Sequence, residues 1–283
     1  MSGWSGERLD AAQSAFVERT LGRLQLMDDL SWGLVDTKVL HLQAAGEDFV
    51  LKAAGPGNHH IGREIDAYAK YTASLALHER AGELVAADRA SNALIVTYQP
   101  GALVEGTTAE LDPDVHRQAG VALRVLHQQH ARFDAAHERL TTERATAWLD
   151  REHRIAPSIE ARARRILTAY RPSPVVVVPT HGDWQPRNWL IDAGLLRVID
   201  FGRFDFRPAS TDLCRLAVQQ WKLSPALEDA FLAGYGDDPR DDQLWRIELL
   251  REAIGTAVWA FLVGDTAFEA QGHRMLTEAL DRF

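Results

Sequence analysis

The chain of 283 residues lacks several features that would place it in particular protein classes. It has one cysteine, Cys214, so it can form no disulfide within the chain and no cysteine-based zinc site. Its apolar runs are short, as at Val175–Val178 and Ala257–Val263, whereas a membrane-spanning helix needs about 20 apolar residues. Residues 1–7 lack the basic start and apolar core of a secretory signal. The sequence therefore predicts a soluble, cytoplasmic protein without a membrane partner.

Basic residues are also in the minority. The 31 lysines and arginines are outnumbered by 40 aspartates and glutamates, which gives a formal net charge of −9. Nucleic-acid-binding domains usually carry a basic patch, so no nucleic-acid partner is expected. An acidic surface attracts cationic small molecules instead. The hydrophobic share of 46% is that of an ordinary globular protein, and at about 150 residues per domain the length allows two domains or lobes.

The N-terminal third has the pattern of a small α+β unit. Apolar spacing predicts a helix over residues 7–27. Two alternating segments, Val39–Leu42 and Phe49–Lys52, flank a turn at residues 45–48 and predict a β-hairpin. A helix over residues 63–77 and a strand over 94–98 are expected next, before the chain breaks at Pro100-Gly101.

After Gly101 the pattern is mainly helical, with one short β insert. Helical spacing is found near residues 119–126, 143–154 and 158–170, and again from about Thr211. The insert consists of an apolar strand at 175–178, a polar loop, and a hairpin over 189–199 that turns at Ala193-Gly194. The predicted fold class is α+β, with a small antiparallel sheet followed by a larger, mainly helical part.

The polar loop carries the chemistry. It contains His181-Gly182-Asp183 and Asn188, and the returning strand of the hairpin ends at Asp200. Antiparallel pairing is expected to bring Asp200 beside Asn188, and an amide oxygen with a carboxylate suits Mg²⁺. Asp183 could face a substrate hydroxyl, which completes the minimum set for phosphoryl transfer from a nucleotide. Asp, Asn and Gly are also common turn residues, but the combined string of H-x-D-x-x-x-x-N, hairpin and terminal Asp is far more specific.

These motifs, with Val198–Phe201 and Thr211–Leu213, resemble those of the aminoglycoside phosphotransferase family, which is related to choline kinases and, more distantly, to protein kinases. The similarity spans nearly the whole chain. The resemblance implies a two-lobed, protein-kinase-like fold with a small antiparallel-sheet N-lobe and a larger, mainly helical C-lobe. It places the nucleotide-binding lobe at residues 1–99, a hinge at about 95–102, and the C-lobe, with the catalytic loop and acceptor site, at residues 103–283.

In the N-lobe the resemblance implies nucleotide binding. Lys52 ends an apolar strand where the family keeps the lysine that holds nucleotide phosphates, and Glu64 begins the next helix, where the family has the glutamate that pairs with it. The hinge would bond adenine through backbone groups of Val96 and Tyr98. Taken alone, Lys52 could be a solvated lysine and Glu64 a carboxylate favoured by the helix dipole. The usual glycine-rich phosphate loop corresponds to Leu30–Val35, which has a single glycine.

In the C-lobe the resemblance implies the catalytic roles. Asp183 resembles the catalytic base, and Asn188 and Asp200 resemble the ligands of Mg²⁺, with ATP or GTP as the phosphoryl donor. Three further residues would support the catalytic loop: His181, Arg187 and Asp212.

The catalytic loop also departs from the family pattern. Gln185 replaces a common histidine, and Arg187 stands where glycine is frequent. Arg187 could contact phosphate or brace Asp200. Gly202 replaces an acidic residue often found there, which leaves open whether one or two Mg²⁺ ions bind.

The acceptor site is expected among acidic side chains. Residues 237–283 hold ten acidic and five basic residues, and therefore contribute −5 of the net charge of −9. In the family, acidic clusters of the helical lobe bind polycations. Asp205, Glu248 and Glu252 are the candidates for binding the acceptor, and the two glutamates are spaced i and i+4 on a helix face. Helix capping and a solvated face are the plain alternative for such residues.

The sequence thus predicts an ATP- or GTP-dependent, Mg²⁺-dependent O-phosphotransferase acting on a small, cationic acceptor. An aminoglycoside antibiotic, inactivated by phosphorylation, is the first candidate. A cationic peptide antibiotic of the capreomycin or viomycin type remains open, as does a metabolite such as a sugar, a choline-like amine or homoserine. A protein kinase is disfavoured because no Ala-Pro-Glu sequence follows Asp200-Phe201-Gly202.

Rivals from other classes account for fewer of the residues. A non-catalytic nucleotide-binding module predicts that Lys52, Asp183, Asn188 or Asp200 is missing, and all four are present. A metal-dependent hydrolase would need a His-Asp dipeptide that the chain lacks, and the histidines give no third ligand for zinc. The pattern separates neither ATP from GTP nor a monomer from a homodimer.

Overall fold

The computed structural model describes residues 6, 8–33 and 35–283. The start of the predicted helix over 7–27 and Leu34 of the predicted phosphate loop therefore lie outside the described residues. The chain forms two compact units, one from residues 1–129, 181–205 and 226–236, the other from residues 130–180, 206–225 and 237–283. The predicted hinge at about 95–102 lies inside the first unit, and the predicted lobe boundary stays a prediction.

Helices and strands alternate in the first part of the chain, and helices dominate the last. The helices are α1 (Ala11–Leu21), α2 (His60–Lys70), α3 (Ala73–Ala76), α4 (Pro113–His127), α5 (His137–Leu149), α6 (Pro157–Ala169), α7 (Cys214–Val218), α8 (Gln220–Leu223), α9 (Pro225–Tyr235), α10 (Asp242–Val263) and α11 (Thr266–Leu280). The strands are β1 (Leu24–Asp29), β2 (Lys38–Ala44), β3 (Glu47–Ala53), β4 (Leu84–Asp88), β5 (Ala93–Thr97), β6 (Ala102–Leu103), β7 (Arg132–Asp134), β8 (Val175–Thr180), β9 (Trp189–Asp192), β10 (Leu195–Val198) and β11 (Asp205–Arg207).

A five-stranded antiparallel sheet, in the order β1-β2-β3-β5-β4, lies in the first unit. Along β2 and β3 buried residues alternate with partly exposed ones, because successive side chains of a strand point to opposite faces. The buried face includes Leu40 and Leu51, which belong to one core with Phe16 of α1. The predicted hairpin is confirmed, with a two-residue turn at Ala45-Gly46.

The predicted helix over residues 7–27 is wrong in its last third. α1 ends at Leu21, where Gly22 adopts a φ of 68° and donates its N–H to the Glu18 carbonyl. The next residues form β1, which pairs antiparallel with β2. Apolar residues at Leu24 and Leu26 fit an alternating pattern as well as a helical one over so short a stretch. Pairing with β2 decides between the two.

The first unit also contains a short sheet of β6, β9 and β10. In this sheet β9 and β10 directly follow the polar loop. β9 and β10 pair from Trp189↔Val198 to Asp192↔Leu195, which confirms the predicted hairpin. Ala193 and Gly194 have φ values of 47° and 80°. Both central residues of a type I′ turn are left-handed, and this turn matches the twist of paired strands.

Two residues outside the sheet, Gln118 and Arg80, bond the outer edge of β10 in place of a further strand. Gln118 of α4 accepts the Leu196 N–H at 3.1 Å and donates to the Gly194 carbonyl at 2.9 Å. Arg80 donates to the Leu196 carbonyl at 3.2 Å, and its own carbonyl accepts the Val198 N–H at 2.7 Å. These bonds fix the hairpin against α4 and against Arg80, which lies between α3 and β4.

The second unit is mainly helical. α10 and α11 pack closely, since a Cβ on Gly272 would lie 2.5 Å from the Cα of Ala257, so only glycine fits there. A three-stranded sheet in the order β11-β8-β7 adds the strand content, with β7 and β8 antiparallel. Among the helices of residues 8–33 and 35–283, none has the length and apolar character needed to cross a membrane.

Candidate active site

A lysine between two carboxylates forms the first part of the site. Lys52 on β3 donates from Nζ to both oxygens of Glu64 on α2, at 2.8 and 3.0 Å, and to Oδ1 of Asp200 at 2.7 Å. Lys52 and Glu64 are nearly buried, with side chains 12% and 2% exposed, whereas the Asp200 side chain is half-exposed. The structure thus brings together the two predicted nucleotide-binding residues and one predicted metal ligand.

The charges of this cluster stabilise one another. Burial alone would lower the pKa of Lys52, but the carboxylates of Asp200 and Glu64 outweigh it and raise the pKa above its usual range. For Asp200, desolvation would raise the pKa, and the Lys52 ammonium lowers it overall. The lysine and Asp200 are therefore held in their charged forms near neutral pH.

Helix α2 also holds the backbone that follows Asp200. Glu64 accepts the Phe201 N–H at 3.2 Å, and Nδ1 of His60 bonds the Gly202 carbonyl at 2.8 Å. Asp200 itself is left-handed, with a φ of 65°, and a strained residue held in this way is typical of functional sites. The sequence pattern raised the question whether the histidines bind zinc and did not predict this contact of His60.

The polar loop converges on the carboxylate of Asp183. Gln185 donates to its Oδ1 at 2.6 Å, and Arg187 and Asn188 donate to its Oδ2 at 2.6 and 3.1 Å. Asn188 also donates to the Asp183 carbonyl at 2.7 Å. Hydrogen bonds and a positive charge on a carboxylate favour its ionised form. Asp183 is 3% exposed.

The ion pair between Arg187 and Asp183 was not predicted. The sequence left open whether Arg187 contacts phosphate or braces Asp200, and the structure places its guanidinium on Asp183 instead. The two residues are four positions apart on a tight loop, and Pro186–Asn188 forms a short 3₁₀ turn that directs Arg187 back toward Asp183.

His181 links the loop to the strand before Asp200. Its Nδ1 accepts the Asp183 N–H at 3.2 Å, so the proton is on Nε2, which donates to the Ile199 carbonyl at 3.0 Å. His181 is fully buried. Its two bonds tie the loop to the end of β10, in keeping with a supporting rather than a proton-carrying role.

The hairpin register differs by one residue from the expectation. Trp189 pairs with Val198, and the Ile199 N–H bonds the Asn188 carbonyl at 3.0 Å. Asn188 therefore lies opposite Ile199, and Asp200 is one residue further along. The two-residue turn at Ala193-Gly194 sets this register.

The oxygens available at this end of the hairpin fit Mg²⁺. Neither Oδ1 of Asn188 nor Oδ2 of Asp200 accepts a hydrogen bond from the described residues. Mg²⁺ prefers oxygen ligands and commonly takes only one or two protein carboxylates, the rest coming from water and phosphate. Residues 6, 8–33 and 35–283 contain no group of three or more His, Cys, Asp or Glu that could hold a metal ion.

The predicted adenine contacts lie within the five-stranded sheet. Val96 pairs with Val50 of β3, and the Tyr98 N–H donates to the Asp48 carbonyl at 3.0 Å. The Tyr98 ring stacks on His41, with 4.1 Å between ring centroids. The Tyr98 N–H is therefore already bonded within the sheet, and the contacts of Val96 and Tyr98 to adenine stay predictions.

The predicted acceptor residues on α10 do not form an exposed anionic surface. Glu248 is 4% exposed. Burial raises its pKa to about 8, and the Ser210 hydroxyl opposes this shift. A carboxyl with that pKa is largely protonated at neutral pH. Glu252 is paired with Arg215 at 2.8 Å. This face of α10 therefore does not form the open cation site that the sequence suggested.

The remaining predicted residues lie in different surroundings. Asp205 begins β11, is about half-exposed, and lies 3.9 Å from Arg63 in the first unit. Asp212 is buried in the 3₁₀ helix Ala209–Leu213 of the second unit. Their roles in acceptor binding and loop support stay predictions.

Comparisons with known proteins identify the fold and the family. The phosphotransferase enzyme family profile matches residues 30–246. The chain is similar to macrolide 2'-phosphotransferase MphH from Brachybacterium faecium, with 19% identity, a TM-score of 0.61, and 95% of this chain and 98% of that chain covered. It is also similar to a thermostable mutant of aminoglycoside phosphotransferase APH(4)-Ia in complex with ADP and hygromycin B (14% identity, TM-score 0.69, 96% and 99% covered).

A third similar structure is choline kinase LicA from Streptococcus pneumoniae, with 14% identity, a TM-score of 0.66, and 97% and 100% of the two chains covered. No curated protein matches the chain. At these identities the structures establish the fold, which is the predicted protein-kinase-like α+β fold. The family profile covers well over half of the chain, and the chain belongs to the phosphotransferase enzyme family.

Proposed function

We propose that the protein transfers the γ-phosphoryl group of ATP or GTP to a hydroxyl group of a small, cationic acceptor, with Mg²⁺ as cofactor. The observation that carries the proposal is the adjacency of two clusters in the first unit. Lys52, Glu64 and Asp200 form one, and the loop of Asp183 and Asn188, bonded through Ile199 to the same hairpin end, forms the other.

The first cluster is suited to the donor. The Lys52 ammonium, oriented by Glu64, would hold nucleotide phosphates, because a charged nitrogen in a nearly buried place binds phosphate oxygen strongly. Asn188 and Asp200 would hold Mg²⁺, which neutralises the charge that develops on the phosphate oxygens. Lys52 would then bind the phosphates, and Asp200, which now accepts a hydrogen bond from Lys52, would bind Mg²⁺.

Asp183 would act on the acceptor. Its carboxylate, which accepts hydrogen bonds from Arg187 and from two amide side chains, can orient an acceptor hydroxyl and take its proton. The acceptor oxygen forms a bond to the γ-phosphorus while the bond from that phosphorus to the β–γ bridging oxygen breaks, and the nucleoside diphosphate leaves. Most of the rate enhancement would come from alignment and charge stabilisation, as a loose transition state requires.

Charge and the similar structures support an antibiotic or an amine as the acceptor. The net charge of −9 favours a cationic molecule. Structures with the same fold were solved with hygromycin B or spectinomycin, and others are a macrolide phosphotransferase and a choline kinase. An aminoglycoside is the first acceptor to test. A capreomycin-type peptide or a metabolite such as homoserine, a sugar or a choline-like amine belongs in the same panel.

The test replaces Asp183 by Asn and measures nucleoside diphosphate release with ATP or GTP over that panel. We expect kcat to fall about 10²–10⁴-fold, the usual contribution of a positioned general base, while nucleotide binding is retained. Asp192→Asn, at the far end of the same hairpin, is the matched control and should keep its activity. Thermal stabilisation by nucleotide should be larger with Mg²⁺ than with EDTA.

Two results would contradict the proposal. An Asp183→Asn variant as fast as the parent with its best acceptor would remove Asp183 from the chemistry. Nucleotide binding without any acceptor-stimulated turnover would instead support a non-catalytic nucleotide-binding module.

A further inference from the structure

Glu105 is an acidic residue close to the loop of Asp183 that the reaction described above does not use. β6 pairs with β9 through Ala102↔Ile191 and Leu103↔Leu190, and the Val104 N–H continues this pairing to the Trp189 carbonyl at 3.0 Å. The next residue along is Glu105, and its counterpart on the other strand is Asn188. The same short sheet therefore brings Glu105 to the end at which Asn188 and the hairpin present their site residues.

A tight turn holds Glu105 in this place. The Val104 carbonyl accepts from both the N–H and the hydroxyl of Thr107, at 3.2 and 2.8 Å. Gly106 has a φ of 74°, as the third position of a type II turn requires, and its N–H donates to Glu110 at 2.7 Å. Glu105 occupies the second position of a turn that is bonded on both sides, so its backbone is fixed in relation to β9.

The side chain of Glu105 is exposed, and Arg187 offsets part of its charge. Val104 is buried, whereas Glu105 is exposed. Partial desolvation raises its pKa, the Arg187 guanidinium lowers it, and the carboxylates of Glu110 and Asp183 raise it further. Glu105 thus lies within electrostatic reach of Asp183 and Arg187, the side of the site that faces the acceptor.

Arg187 acts on both Glu105 and Asp183. Its guanidinium is bound to Asp183 at 2.6 Å, so one positive charge is shared between the carboxylates of Asp183 and Glu105. A cation beside the reacting hydroxyl would lie near the carboxylates of Asp183 and Glu105, and an exposed carboxylate on a fixed turn can bind it without rearrangement.

We propose that Glu105 is a specificity-determining residue of the acceptor site, whose carboxylate binds an ammonium group of the acceptor next to the hydroxyl that Asp183 orients. The inference rests on the proposed function, since it takes Asp183 as the group that faces the acceptor. It assigns the selection of a cationic acceptor to the turn after β6, whereas the sequence had suggested the acidic face of α10.

The test compares Glu105→Gln with Glu47→Gln, which removes the same charge from the exposed β2–β3 turn. Rates are measured with MgATP and hygromycin B, spectinomycin, choline, or the uncharged carbon analogue of choline with a tert-butyl group. For Glu105→Gln we expect the KM of cationic acceptors to rise about tenfold, the effect of losing one charge-assisted bond. The kcat, the KM for ATP and the KM of the uncharged analogue should change little, and Glu47→Gln should match the parent.

Three results would overturn the inference: an unchanged KM for cationic acceptors, an equal loss for the uncharged analogue, or a rise confined to the KM for ATP. If no acceptor in the panel is phosphorylated by the parent, the proposed acceptor class fails separately. Equilibrium binding of hygromycin B and choline then decides on Glu105. Weaker binding by Glu105→Gln than by Glu47→Gln supports the carboxylate as a cation site, and equal or absent binding rejects it.

Discussion

At the scale of single residues, the position of Lys52 between Glu64 and Asp200 couples the three side chains in their effect on stability. The three side chains are contributed by a strand, a helix and the segment after a hairpin. Because Lys52 bonds both carboxylates, a change in one side chain alters the interactions of the others. A buried ion pair adds little stability over an apolar substitute, but removal of one partner leaves an uncompensated charge in a place with little water.

We therefore expect Lys52→Met to lower the free energy of unfolding by about 3 kcal/mol, the usual cost of breaking a buried ion pair. The double variant Lys52→Met/Glu64→Gln should recover part of that loss, because the unpaired carboxylate is gone. Urea unfolding at neutral pH measures both. Lys70→Met is the control, since Lys70 is 60% exposed and pairs with Asp66 on the surface. Equal unfolding midpoints for Lys52→Met and Lys70→Met would contradict the expectation.

The sequence could predict which residues gather at the site but not all of their partners. Lys52, Glu64 and Asp200 are implied by a resemblance that spans the chain, and the structure brings them together. The contact of Arg187 with Asp183 could not be predicted, because a long guanidinium can reach several anions from one position. His60 was missed because its partner, the Gly202 carbonyl, is far away in sequence.

At the scale of elements, two hairpins use the same Ala-Gly turn. Ala45-Gly46 joins β2 to β3, and Ala193-Gly194 joins β9 to β10. In both turns the alanine is left-handed, with φ values of 52° and 47°. Alanine pays a steric cost in that region, whereas asparagine adopts it more readily.

We expect Ala193→Asn and Ala45→Asn each to stabilise the fold by about 0.5–1 kcal/mol, and Gly194→Ala to destabilise it by about 1 kcal/mol. The midpoint of urea unfolding measures the change. The matched site outside a turn is Ala86 of β4, where asparagine should bring no gain because the strand geometry does not favour it. A loss of stability in Ala193→Asn would mean that the turn is not the source of strain.

The elements were predictable where the periodic pattern is long or a turn is distinctive. Both hairpins follow from alternation around a glycine, and both are confirmed. The helix over residues 7–27 failed because one glycine, Gly22, ends it and the residues after it pair with β2, which local spacing cannot show. The one-residue error at Asn188 was avoidable, because the predicted two-residue turn at Ala193-Gly194 already places Asn188 opposite Ile199.

At the scale of the whole molecule, the two compact units are assembled from interleaved segments. Residues 226–236 return to the first unit after a long stretch of the second. Gly120 of α4 and Gly234 of α9 each lie against the backbone of the other helix, so that a Cβ at either place would collide with it. Glycines inside helical patterns are the only signal of such packing in the sequence, and they do not name the partner helix.

The contribution of Glu248 to the stability of the molecule should decrease as the pH rises. Burial raises its pKa to about 8 from an ordinary value of 4.5. The unfolded chain loses this proton at lower pH than the folded chain, so stability is complete below about pH 4.5 and is lost as the pH rises toward 8. Glu248→Gln cannot ionise, and its stability relative to the parent should increase over this interval by on the order of 4 kcal/mol.

Urea unfolding of parent and variant at several pH values measures this difference. Glu143→Gln, on the exposed face of α5, is the control and should keep a constant difference from the parent. A Glu248→Gln variant whose stability runs parallel to that of the parent would show that Glu248 is not the buried, protonated group described above.

The bonded outer edge of β10 has a consequence for self-association. An open strand edge offers a row of N–H and carbonyl groups on which a strand of another molecule can add. Here Gln118 and Arg80 occupy those groups at Gly194, Leu196 and Val198. The hairpin next to the site is thereby closed to intermolecular strand addition, and the loss of Gln118 would turn a protected edge into a starting point for aggregation.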